Sequence, residues 1–168
     1  MSATERSERI ELSEEGQRQF AWLLGRYPQR RAVLLPLLRI IERERGRIDQ
    51  AGIELAAELI GISPAEVLSV VTFYTHFKCD LPGRRDGRYV IWVCNTLPCA
   101  LRGARQLTQA LEQKLGIAAG GVTPDGRFSL RKTECLASCD TAPCMQIDDR
   151  HYDRVTAEQL DEILAEWE

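Results

Sequence analysis

A chain of 168 residues with 44% hydrophobic content is long enough for one domain or two small ones, and apolar enough to bury an ordinary core, so disorder is not its default state. Its formal net charge of -3 comes from interspersed acidic and basic residues, which leaves no basic field for a phosphate backbone, and no nucleic-acid partner is expected. The opening MSATERSERIELSEEGQ lacks the apolar core of a secretory signal, and its glutamates argue against a mitochondrial transit peptide, so a cytoplasmic protein is expected. No apolar run reaches the roughly 18 residues that a membrane helix needs. Even the stretch from Ala32 to Ile41 contains Pro36 and is bounded by arginines, so no direct membrane insertion is expected and any membrane association comes through a partner.

The first half reads as helices, with apolar residues at three- and four-residue intervals. Residues 12–25 place Phe20, Leu23 and Leu24 on one side. Residues 29–45 do the same with Val33, Leu34, Leu37, Leu38 and Ile41, and Pro36 predicts a kink or a restarted helix. A third helix covers residues 50–60. The fourth has the best-marked start: Ser63 is a capping residue, Pro64 occupies the first helical position and Glu66 the third. It is predicted to run to about Phe77 with Val67, Val70, Val71, Tyr74 and Phe77 as its apolar stripe, giving an N-terminal helical bundle over residues 1–80. His76, among those aromatics, reads as a packing or interface residue.

The turn-rich, charged stretch 80–87 reads as a linker, with Arg84, Arg85 and Arg88 solvated, and a second domain is expected over residues 81–168. Tyr89 to Val93 is a short strand ending on Cys94. A helix is predicted from Leu101 to Leu115, ended by Gly116. Strands follow at Phe128 to Arg131, at Cys144 to Ile147 and near His151 and Tyr152. A last helix starts at the capping-box pattern Thr156 to Gln159. The fold class is therefore α+β.

The six cysteines carry the chemistry. In a reducing compartment they read as metal ligands or free thiols before disulfides. Cys94 and Cys99 form a C-x4-C pair, then come thirty-five residues, then Cys135 and Cys139 form a C-x3-C pair. Two tetrahedral irons that share two bridging sulfides each need two thiolates, so two close pairs meet the stoichiometry of a 2Fe-2S cluster. A zinc site with four cysteines accepts the same spacing, and spacing alone leaves both open. A C-x-x-C dithiol and plant-type ferredoxin spacing are both absent. Cys99 is predicted to open a helix behind Pro98, where unpaired N–H groups favour a thiolate. Arg102, Arg131 and Lys132 are expected to raise the potential of such a centre, Glu134 and Asp140 to lower it, and Leu97, Ala100, Leu136, Ala137 and Pro143 to exclude water. Cys144 reads as a buried free thiol and Cys79 as a bystander.

The strings VCNTLPCALRGA (93–104) and TECLASCDTAP (133–143), with TPDGRFSL between them and VVTFYTHF before them, closely resemble the thioredoxin-like 2Fe-2S ferredoxin subunit of NADH:quinone oxidoreductase, respiratory complex I. The resemblance runs from about Tyr27 and Pro28 through LLPLL (34–38) to the last helix. It implies a helical N-terminal region before a thioredoxin-like ferredoxin domain, and one 2Fe-2S cluster held by Cys94, Cys99, Cys135 and Cys139. It also implies docking on a flavoprotein subunit that binds FMN and NADH, beside other peripheral-arm subunits, at the cytoplasmic face of the inner membrane. The chain would then be a subunit of an NADH dehydrogenase, not catalytic alone, exchanging single electrons with FMN. Related subunits of NAD-reducing hydrogenases and NAD-dependent formate dehydrogenases fit the same strings. A zinc-stabilised assembly module and a self-contained thiol oxidoreductase are the readings from other classes.

Overall fold

The computed structural model describes residues 10–167, so residues 1–9 of the segment used for the targeting argument lie outside the described residues. The chain divides into two compact units, one ending at Arg85 and the other beginning at Asp86.

The first unit starts with α1 (Glu14–Leu24), capped by the Ser13 hydroxyl, which accepts a hydrogen bond from the Gly16 N–H. A 3-10 turn (Arg30–Val33) leads into α2 (Leu34–Arg45). Pro36 sits in the first turn of α2, where its missing N–H has no helical carbonyl to reach, so the helix restarts before the proline instead of kinking at it. After β1 (Ile48–Asp49) comes α3 (Gln50–Ile60), and α4 (Pro64–Phe73) opens with the predicted capping box between Ser63 and Glu66. Helix α4 ends at Phe73, short of the expected Phe77, because Tyr74 leaves the helical region (φ -86°, ψ 89°). Val67 and Val71 are buried as expected, whereas Phe77 is buried beyond the helix, under the Arg39 guanidinium.

The expected linker is ordered. Cys79–Leu81 and Arg84–Arg85 form β2 and β3, and β1-β2-β3 make a three-stranded sheet within the first unit. Arg84, expected to be solvated, donates to the carbonyls of Thr75 and Phe77 at 2.5 Å each. Cys79 is fully buried in this unit's core, with its thiol donating to the Phe77 carbonyl.

The second unit is built on β4 (Tyr89–Cys94). Every residue from Val90 to Cys94 is buried, as expected of an inner strand covered on both faces. Helix α5 (Leu97–Leu101) and helix α6 (Ala104–Leu115) carry the chain over to β5 (Phe128–Thr133). The sequence predicts one continuous helix here; Gly103, in the left-handed region at φ 104°, separates the two. Strands β6 (Met145–Ile147) and β7 (Arg150–Tyr152) complete a sheet of order β5-β4-β6-β7, in which β4 pairs parallel with β5 and antiparallel with β6. The Thr156–Gln159 capping box forms, and a 3-10 turn (Ala157–Gln159) precedes α7 (Leu160–Ala165).

Ile91, Val93, Leu130, Met145 and Ile147 pack with Leu107 and Leu111 of α6 and Leu160 of α7 in one core. Asp86, 3% exposed, is held by Arg131 of β5 at 3.0 Å, and Arg131 also donates to the Gly120 carbonyl.

Leu111 is fully buried, so Leu111→Ala should destabilise this unit by about 2–5 kcal/mol in urea unfolding. Leu101→Ala, at a side chain 78% exposed, should change it by no more than about 0.5 kcal/mol.

Candidate metal centre

Strand pairing assembles the cysteines. β4 and β5 run parallel with Cys94 opposite Thr133, so both chains leave the sheet at the same edge. From that edge β4 continues through Thr96 into α5, which carries Cys99 behind Pro98. β5 continues into the loop with Cys135, and a 3-10 turn (Cys139–Thr141) starts on Cys139. β6 runs the other way and therefore starts at this edge, where the Cys94 N–H donates to the Cys144 carbonyl at 3.3 Å.

The sulfurs of Cys94, Cys99 and Cys144 lie within 4.8 Å of one another, and all three residues are buried. Cys99 Sγ and Cys144 Sγ are 3.8 Å apart. Cys94 Sγ is 3.2 Å from Thr96 Oγ1 and donates to the Glu134 carbonyl at 3.3 Å. Ala104 packs with the three cysteines, and Leu136 and Ala142 close over them. Cys135 and Cys139 are exposed. Cys135 Sγ accepts the Ala137 N–H at 3.3 Å, and Ala137 takes the left-handed conformation (φ 61°), which is costly for alanine and aims its amide back at the sulfur.

The thiols titrate according to these surroundings. Burial opposes ionisation of Cys94, but hydrogen bonds from the Thr96 hydroxyl, the Thr96 N–H and the Leu136 N–H outweigh it and hold the thiol below its ordinary value. Cys99 is pushed up, first by burial and then by neighbouring Cys94, although the Cys144 N–H partly offsets this. Cys139 is raised by desolvation, then by Cys135, Cys94 and Asp140 nearby, and Cys144 is raised far above the usual thiol range, mainly by burial.

Thiols crowded in this way resist joint ionisation unless a cation neutralises them, and backbone amides already point at three of the sulfurs. The donor set is all sulfur, and no disulfide forms among the described cysteines. These residues fit a thiolate-bound metal centre. Cys94, Cys99, Cys135 and Cys139, singled out in the sequence, share the sheet edge, with the first pair beneath the surface and the second upon it.

The structure adds to the sequence reading at Cys144 and Arg131 and changes it for the residues that exclude water. Cys144 is the buried free thiol expected, and its sulfur lies with those of Cys94 and Cys99; the clue in the sequence is its position just before a strand that pairs with the cysteine-ended β4. Leu97 is 71% exposed, and Ala100 and Ala137 are exposed too, so water exclusion falls to Ala104, Leu136, Ala142 and Cys144. Arg131 is engaged with Asp86 and Gly120.

A family model described as thioredoxin-like 2Fe-2S ferredoxin matches residues 20–168. The chain is 45% identical over 144 residues to NADH-quinone oxidoreductase subunit 2 of Thermus thermophilus, covering 84% of this chain and 77% of that one. It is 37% identical over 140 residues to a further NADH-quinone oxidoreductase subunit, from Rhizobium meliloti, covering 83% and 81%. Its fold is similar to that of a chain of an NAD+-reducing NiFe-hydrogenase, with a TM-score of 0.67 at 22% identity over 77% of this chain; it spans 22% of that hydrogenase chain.

Removing the hydroxyl that helps lower the Cys94 pKa should move its titration to higher pH. In the metal-free chain, Thr96→Val is expected to do so, as read from the pH dependence of the Cys94 13Cβ chemical shift.

Proposed function

Because the chain belongs to the thioredoxin-like 2Fe-2S ferredoxin family, we propose that it is the electron-transfer subunit of an NADH-quinone oxidoreductase, holding one 2Fe-2S cluster on Cys94, Cys99, Cys135 and Cys139 and exchanging single electrons with FMN in a partner that binds NADH. The observation that carries this reading is the arrival of a buried cysteine pair and an exposed one at one sheet edge, the first from the end of β4 and from α5, the second from the chain that follows β5. When bound, the cluster supplies one-electron redox chemistry at iron.

The chain's own residues do the rest. Cys94 and Cys99 sit where Ala104, Leu136 and Ala142 exclude water, which protects the metal–sulfur bonds. The N–H groups of Leu136, Ala137 and Cys144 donate to thiolate sulfurs, and such bonds stabilise added negative charge and so raise a reduction potential. Cys135 and Cys139 bring the centre to the surface, which gives a partner's flavin its shortest approach.

The sequence contains no G-x-G-x-x-G or phosphate-binding loop, so NADH and FMN are assigned to the flavoprotein partner. Among the described residues no single helix is long and apolar enough to cross a membrane. Attachment at the cytoplasmic face of the membrane, through other peripheral-arm subunits, follows from the same reading. The quinone-linked assignment is preferred over the hydrogenase one because the quinone-linked relatives reach 45% identity, whereas the hydrogenase likeness at 22% concerns the fold.

Iron and acid-labile sulfide analysis of the purified chain should give two of each, with a paramagnetic EPR signal after dithionite reduction. Zinc without sulfide would remove the electron-transfer reading in favour of a zinc-stabilised module. Cys135→Ala should lower bound iron at least about tenfold. In the assembled complex, NADH should reduce the cluster, and ligand variants that still assemble should release more peroxide. No reduction of the cluster by NADH would count against exchange with FMN.

A further inference from the structure

One side of the centre has more sulfur than a 2Fe-2S cluster can use. An iron with two bridging sulfides has two places left for protein thiolates, but Cys94, Cys99 and Cys144 bring three sulfurs within 4.8 Å of one another. Two sulfurs bound to one tetrahedral metal at about 2.3 Å stand about 3.8 Å apart. Cys99 Sγ and Cys144 Sγ are separated by 3.8 Å, the spacing of two ligands on one metal ion.

We propose that Cys144 is a reserve ligand of this iron, positioned to take the place of Cys99. The proposal rests on the ligand assignment above and adds a fifth cysteine to it.

Cys99, not Cys94, is the replaceable member. Cys94 ends β4, and its sulfur is fixed from several sides by Thr96, Glu134 and Leu136. Cys99 stands on the five-residue α5, whose flanking Leu97 and Leu101 are 71% and 78% exposed, and its sulfur contacts Cys144. Cys144 does not depend on Cys99 for its own place. Its carbonyl is tied to the Cys94 N–H, and the next residue, Met145, pairs with Val93 in the sheet. Loss of the Cys99 sulfur therefore leaves Cys144 beside Cys94.

The exchange is a ligand substitution without oxidation or reduction. The Cys144 sulfur forms its bond to iron as the bond from iron to the Cys99 sulfur breaks, the Cys144 proton passes to the departing Cys99 thiolate 3.8 Å away, and the iron keeps two thiolates. Where residue 99 has no sulfur, that proton leaves to water and no ligand is displaced.

The test uses the full chain, reconstituted anaerobically with ferrous iron and sulfide, in four forms: wild type, Cys99→Ala, Cys144→Ala and the double variant. Iron and sulfide per chain and the EPR spectrum after dithionite are the readouts, with circular dichroism as the check on folding. Cys99→Ala should retain the cluster with shifted g values, Cys144→Ala should retain it, and the double variant should hold at least about tenfold less iron than Cys99→Ala. A folded Cys99→Ala as empty as the double variant overturns the proposal, as does a double variant that keeps its cluster. A folded Cys144→Ala without a cluster overturns it too, since Cys144 would then be an obligatory ligand. If alanine at residue 99 does not fold, Cys99→Ser with and without Cys144→Ala decides by the same comparison. Failure of the wild type to take up iron and sulfide would instead sink the cluster assignment itself.

Discussion

The parallel pairing of β4 with β5, in register from Tyr89 opposite Phe128 to Cys94 opposite Thr133, is the constraint on which the centre depends. Parallel neighbours leave a sheet at the same edge, and an antiparallel third strand must enter there. The two cysteine pairs, separated by a helix and a long connection in sequence, therefore meet without either needing an unusual path. A one-residue slip would turn Ile91 and Val93 away from the core that holds Leu107 and Leu111, so the hydrophobic pattern fixes the register and the register fixes the sulfurs.

The same edge crowds several thiols together, and a bound cation lets more than one of them ionise. Burial pushes Cys99 and Cys144 toward the neutral thiol, while the Thr96 hydroxyl and two amides draw Cys94 the other way. The site is thus graded: apolar and amide-lined at Cys94 and Cys99, open to solvent at Cys135 and Cys139. That gradient suits a group that must be shielded from water yet come within electron-transfer distance of a partner.

What the sequence reveals follows the range of the interaction involved. The capping boxes at Ser63 and Thr156 and the left-handed stop at Gly116 are local, and all three form. The run from Tyr89 to Cys94 has no polar interruption and forms the inner strand. The failures are nonlocal. Arg84 and Arg85 look like linker residues until β3 finds β2. The break at Gly103 is hidden because apolar spacing on either side continues through it. Cys144 escapes ligand spacing counted along the chain, because its place is determined by pairing across the sheet.

The strand order β5-β4-β6-β7 also has a consequence for biosynthesis. The inner strand is made first, and both of its partners emerge later, with Cys135, Cys139 and Cys144 following Cys94 off the ribosome after the whole crossover. A nascent chain can therefore present the first cysteine pair, but it cannot offer a closed set of sulfurs until nearly all of the second unit has been synthesised. The sheet edge that gathers the sulfurs exists only once β5 and β6 have both joined β4.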